Sequence, residues 1–182
     1  MAACLAAALL PADAALATSW IVDKEASRLG FAGSQAGTPF EGRFASWDAR
    51  IEFDPARPET GFALVTVDVA SASTGNAQRD AALPQPEWFD AATTPKAVFE
   101  ATTFRAKGGN AWEAVGTLSI RGLRREVALP FTLDLAGDTA RAKGRLDLIR
   151  TDFGIGQGPW ATGQWVALEV AATVDLVAKR VD

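Results

Sequence analysis

Apolar and polar residues alternate one for one along most of the chain. In QWVALEVAATVDLVA, residues 164–178, Val166, Leu168, Val170, Ala172, Val174, Leu176 and Ala178 fall on one parity. Trp165, Glu169, Thr173, Asp175 and Val177 fall on the other. Period two is what a strand with one buried face requires, because successive side chains point to opposite sides of a sheet. The stretch exceeds an ordinary strand and would run about 50 Å at ~3.3 Å per residue. A strand that long curls with its neighbours, and a curled antiparallel sheet closes readily into a barrel.

The same alternation recurs upstream. Trp47, Ala49, Ile51 and Phe53 share a face, as do Ala63, Val65, Val67 and Val69. Ala97, Phe99 and Ala101 form a further set, blurred by Val98 and Phe104. Trp112, Ala114, Gly116, Leu118 and Ile120 are followed, after an Arg121-Gly122 turn, by Val127, Leu129, Phe131, Leu133 and Leu135. Ala140, Ala142, Gly144, Leu146 and Leu148 complete the series. Short Gly, Asp and Pro turns join the segments, as in antiparallel meanders. Two stretches break the pattern. Residues 74–93 read as short helical turns with Asn76 as N-cap, and 152–163, with four glycines and a proline, as an irregular loop. Both are long enough to cover a barrel mouth. The expected architecture is a single all-β domain over 18–182, an antiparallel barrel with one short helical segment.

The first seventeen residues read as a secretory signal: an Ala/Leu run, Pro11, then a small-x-small site at Ala15-Leu16-Ala17, although no basic residue precedes Lys24. This places the protein in the periplasm or outside the cell, beginning at Thr18. Cys4, the only cysteine, lies inside that segment and is a lipidation candidate if translation starts further upstream. No run approaches the ~20 apolar residues of a membrane-spanning helix. The net charge of −4 leaves no basic footprint for nucleic acid.

The chemistry available is narrow. Beyond residue 17 there is no His, Cys or Tyr, so no imidazole or thiolate serves as base, nucleophile or zinc ligand. GIGQG is glycine-rich but follows no βαβ pattern. Asp and Glu sit mostly on the outward parity, the expected place for solvated charges. The composition therefore points to binding, with no catalytic residue, metal site or required cofactor. A carboxylate-dependent enzyme acting on a lipid head group and a ligand-free envelope or stress-response protein that binds through its surface are the alternatives.

Several segments together resemble the YceI-like family of secreted lipid-binding proteins. They are WIVD at 20–23, FEGRFASWDARIEFDP at 40–55, SASTGNAQRDAALPQPEWFD at 71–90, PKAVFEATTF at 95–104, GTLSIRGLRREVALPF at 116–131 and LIRTDFGIGQGPW at 148–160. The resemblance implies a lipocalin-like barrel of about eight strands holding a long isoprenoid or acyl amphiphile, such as a quinone or polyprenyl lipid. Where many members carry His-Ser after the first strand, this chain has Lys24-Glu25-Ala26-Ser27, so no role of that His carries over.

Candidate tunnel-lining residues are Phe40, Phe44, Trp47, Ile51, Phe53, Val67, Trp88, Phe89, Phe99, Ala114, Leu118, Phe131, Leu146, Phe153 and Trp160. Filled and ligand-holding barrels look alike in sequence. The small inward residues (Ala49, Ala63, Ala97, Ala101, Ala114, Gly116, Ala140, Ala142, Gly144) favour a void, because packed interiors need larger volumes. Arg150 either pins the glycine loop or meets a polar head group. Arg79 is a second head-group candidate, although an ion pair with Asp80 is the simpler expectation. A homodimer is compatible with these features.

Overall fold

A computed structural model describes residues 18–181; the signal segment read at 1–17 lies outside the described residues. The strands are β1 Ser19–Val22, β2 Arg28–Gln35, β3 Thr38–Phe44, β4 Trp47–Glu52, β5 Phe62–Asp68, β6 Ala72–Ser73, β7 Lys96–Gly108, β8 Ala111–Ile120, β9 Leu123–Ala136, β10 Thr139–Ile149 and β11 Glu169–Val181. The one α-helix among the described residues, α1, spans Ala77–Ala82, with the Asn76 side chain accepting from the Arg79 amide as its N-cap.

Eleven strands make eight staves because three staves are bent. β1 and β2 both run along one edge of β11, Ser19–Val22 against 178–181 and Arg28–Ala32 against 171–175. The next stave is β3 with β4, pairing β2 and β1 respectively, and the third is β5 with β6. At the first bend Ser27 Oγ accepts from the Val177 amide and donates to its carbonyl, repairing the β11 ladder where the partner strand turns away. The sheet continues through β7, β8, β9 and β10 to β11, whose pairing with β1 closes the ring. The result is the antiparallel barrel expected from the alternation, with the eight strands that the resemblance implies.

β11 starts later than the pattern suggests. Val166 retains the inward parity but makes only an isolated bridge to Gln35, and the ladder with β10 begins at Glu169. The carbonyls of Val166 and Ala167 are occupied by the Arg150 side chain and that of Leu168 by the Arg150 amide, so none of them is free for β10.

The blurred parity of 97–104 also resolves. Ala101 pairs with Gly116 but Thr103 with Val115, a bulge that shifts the inward parity by one residue. Phe104 thereby turns inward opposite Ala114. At the bulge the β7 backbone presses on β8: a Cβ on Gly116 would lie 2.1 Å from the Glu100 carbonyl oxygen. Gly116 is therefore small because a backbone crosses it, not because it opens a void. Gly144 is similar, with Leu129 and Phe131 filling the space a side chain would take.

One seam is incomplete. β9 and β10 pair from Thr139↔Ala136 to Gly144↔Phe131, and there the ladder ends. The next residue on β9 is Pro130, which has no N–H to offer. Above it, 123–130 of β9 pair only with β8, and 145–149 of β10 only with β11.

Gly116→Ala should cost ~1–3 kcal/mol or more, as expected for overpacking against rigid backbone. Urea denaturation checks this, and an unchanged midpoint would mean that the β7 bulge relaxes freely.

Candidate functional site: a lidded apolar cavity

The inward faces enclose a cavity of ≈290 Å³. Forty residues line it, and only Thr173 and Arg150 among them have polar side chains. Packed side chains stand at both ends. At the end near β1, Phe53 meets Phe104 at 4.8 Å between ring centroids and Trp112 edge-on at 5.1 Å; Phe104 meets Phe131 at 6.5 Å. Trp20 joins this plug, its indole N–H donating to the Phe53 carbonyl at 2.8 Å. The opposite end is capped by the two irregular segments, which contribute Leu83 and Phe89 from 74–93 and Phe153 and Ile155 from 150–163.

Of the candidate lining residues, Phe40, Phe44, Ile51, Phe53, Val67, Trp88, Phe89, Phe99, Ala114, Leu118, Phe131, Leu146 and Phe153 all stand on the wall. Trp47 does not: it is buried against Leu29 and Leu176 beside the β3–β4 bend. Trp160 does not either; its ring packs tilted against Trp88, centroids 5.6 Å apart, and lines a separate outer pocket with Gln35 and Trp165. Of the small residues, Ala63, Ala97, Ala114, Ala140 and Ala142 face the cavity. Phe31, Leu83, Phe104 and Ile155 also line it and were not singled out from sequence. Phe31 lies over Gly42 of the neighbouring strand, a pairing visible only once register is known. Leu83 and Ile155 come from segments without periodicity.

Arg150 settles the alternative left open for it. It is 2% exposed, and each of its five N–H groups has a backbone carbonyl to meet. Nε donates to Ala167 at 2.9 Å; Nη1 to Ile155 at 2.7 Å and Gly156 at 3.2 Å; Nη2 to Val166 at 2.8 Å and to Trp160. The Trp88 ring stands 5.5 Å from the guanidinium carbon. Burial pushes its pKa down, but from so high an ordinary value that it stays charged. Arg150 pins the lid and has no donor left for a head group. The glycine loop is shaped to it: Gly156 has φ +81°, and a Cβ there would lie 1.9 Å from Nη1.

Two further contacts tie the lid down. Arg121 Nη1 donates to the carbonyls of Pro86 and Trp88 at 2.6 Å each, and the amides of Gly156 and Gln157 both donate to the Glu87 carbonyl. Arg79 forms no pair with Asp80. It donates to Thr74 Oγ1 and Gln35 Oε1 and stacks 4.2 Å over Phe40, because Asp80 is turned to other donors. Asp80 accepts from the Thr74 hydroxyl and amide at 2.6 Å each and from Ser73 Oγ at 2.9 Å. These hydrogen bonds, the Thr74 hydroxyl foremost, hold its carboxyl below the usual range. No Asp or Glu lines the cavity, and among the described residues no group of three or more His, Cys, Asp or Glu could hold a metal. No helix among them is long and apolar enough to cross a membrane.

Fold and site together define a closed antiparallel barrel around an apolar chamber. The chain belongs to the YceI-like family, whose domain model matches residues 20–178. A relative from Pseudomonas savastanoi pv. phaseolicola, called UPF0312 protein, is 31% identical over 176 residues, covering 92% of this chain and 91% of its own. Among solved structures, Burkholderia cenocepacia BcnA is similar with a TM-score of 0.85 and 34% identity, over 87% of this chain and 100% of that one. A polyisoprenoid binding domain from Saccharophagus degradans shares the fold at a TM-score of 0.71 and 16% identity, over 91% of this chain and 99% of that one.

Arg150→Met should strand buried carbonyls, each worth ~1–3 kcal/mol when left without a donor, and lower stability by at least about 3 kcal/mol. Lysine, with three donors against five, should rescue little of it. Thermal denaturation and amide exchange across 150–166 provide the readout. The depressed pKa of Asp80 sets a sign. Its stabilisation is present in full above the unfolded-state value of about 3.9 and is lost as pH falls through the lower folded-state value. Protection of amides in 73–83 should fall on acidification below about pH 4, a dependence that Asp80→Asn removes.

Proposed function

We propose that this protein takes the tail of a long-chain isoprenoid amphiphile, a quinone or polyprenyl lipid, into its barrel and carries or stores it in the periplasm. The observation that carries this reading is the chamber wall: it is apolar but for Thr173 and Arg150, and that single cation is saturated by backbone carbonyls. Such a wall offers little for a polar substrate to recognise. It offers a great deal to hydrocarbon, at up to ~0.8 kcal/mol per buried methylene, less the cost of ordering the chain. Family membership and the polyisoprenoid-binding description of the Saccharophagus neighbour support a binding role over an enzymatic one. The Ala/Leu segment at 1–17 supports export.

Affinity should then follow tail length and barely respond to salt, because hydrophobic transfer is not screened whereas a head group held by exposed arginines would be. In a titration of isoprenoid quinones differing only in tail length, each added isoprene unit should tighten Kd by roughly fivefold, ~1 kcal/mol, until the chamber is full. Ala114→Leu or Ala142→Leu should weaken long tails more than short ones. Affinity that is flat in tail length and collapses in high salt would overturn the reading.

A further inference from the structure

A chamber plugged at one end and lidded at the other needs a way in. The lid is the more firmly held of the candidate routes. Opening it would break the five Arg150 bonds, the two from Arg121 and the two on the Glu87 carbonyl, and would expose Leu83, Phe89, Phe153 and Ile155. The opposite end would have to unpack Trp20, Phe53, Phe104 and Trp112. The wall between β9 and β10 is different. Above the Phe131↔Gly144 pair no further residues of the two strands are paired. The side chains on its inner margins, Leu129 on β9 and Leu146 and Leu148 on β10, are half-buried cavity-lining residues. Separating these margins breaks no ladder pair beyond Phe131↔Gly144. Exposed apolar residues, Leu123 at 41% and Ile149 at 36%, stand at the upper end of the seam.

We infer that the β9–β10 seam is the side port through which a lipid tail passes into and out of the barrel. Pro130 makes the port permanent. It sits where the next ladder pair would form, and it withholds the N–H that would close the seam. The lower limit of the port is the Phe131↔Gly144 pair, and its upper limit is the turn at Arg150–Gly154, where Leu123 approaches Gly154. A tail entering here meets Leu129, Leu146 and Leu148, the last two packed against the lid cluster, without breaking the Arg150 bonds. The inference rests on the lipid-binding reading and goes beyond it by assigning the route.

The test is a reversible strap across the seam. Ala128 and Asp147 are exposed and would face each other if the ladder were continued beyond Gly144. In a chain with Cys4 replaced by serine, Ala128→Cys and Asp147→Cys are joined by a bis-maleimide whose linker contains a disulfide. A matched strap joins Glu87→Cys to Gln157→Cys across the lid, where the two segments already bond. Uptake of a prenylated benzoquinone is followed by quenching of tryptophan fluorescence, and release by transfer to phosphatidylcholine vesicles. The seam strap should slow uptake and release by roughly tenfold or more at unchanged Kd, since affinity depends on the end states and not on the route. Reduction of the linker should restore both rates, and the lid strap should alter neither. Unchanged rates with the seam strapped, or equal slowing by the lid strap, would overturn the port. If the unstrapped protein takes up no quinone at all, the lipid-binding reading falls, and the port with it.

Discussion

The lid end of this barrel depends on one buried cation. Taking a guanidinium out of water costs several kcal/mol, and the usual remedy is a carboxylate partner. Arg150 has none; it is solvated by five carbonyls drawn from three stretches of chain, 155–156, 160 and 166–167. Only arginine can do this, because its five donors radiate in a fixed plane while its charge is weakly hydrated. The irregular loop exists in its observed form because those carbonyls must converge. Gly156 must lack a side chain to let Nη1 reach them, and β11 must begin at Glu169 because the residues before it are committed to Arg150. Among the described residues no buried side-chain nitrogen or oxygen lacks a partner, so this polar hub adds no unsatisfied group to an otherwise apolar interior.

A hollow barrel forgoes packing that a filled one would gain. Here the loss is confined to the middle. The two ends carry the bulky contacts, aromatic rings interlocked at one and the lid cluster at the other, while alanines at 63, 114 and 142 keep the waist wide. Outside the β9–β10 seam, the closed ladder through β1 and β11 removes the free edge that an open sheet of this size would expose. Stability therefore comes from the shell and its ends, and the waist is free to be shaped by what it encloses.

How much of this was legible in the sequence follows from what alternation can encode. Parity identifies which side of a strand faces inward, so Val67, Ala114, Leu118, Phe131 and Leu146 could be placed on the wall before any register was known. It fails where a strand gains a residue: the bulge at Ala101/Thr103 hid Phe104. It fails again where small size has two causes. Ala142 leaves space, whereas Gly116 accommodates a crossing backbone, and both read alike as small inward residues. Trp47 shows a third limit, since facing inward at a bend means burial against Leu29 and Leu176 and not contact with the chamber. The partners of Arg79, Asp80 and Arg150 were not legible, because each depends on tertiary proximity between segments that follow no period. The N-cap at Asn76 was, because that preference is local.

Pro130 and Arg150 act on the two boundaries of one chamber in opposite senses. The arginine gathers carbonyls that would otherwise need water or a strand, and so makes an irregular lid rigid. The proline withholds a single donor from an otherwise regular wall, and so leaves that wall unlaced where it flanks apolar lining residues. A container for hydrocarbon needs both. With a rigid lid alone the tail could not exchange, because every route would require unpacking a cluster of buried rings or breaking a hub of charge-assisted bonds. With soft walls throughout, the barrel would have no reason to keep its waist open instead of collapsing upon itself, given how strongly interiors favour close packing. Separating the rigid element from the yielding one lets a single fold retain its ligand and still exchange it.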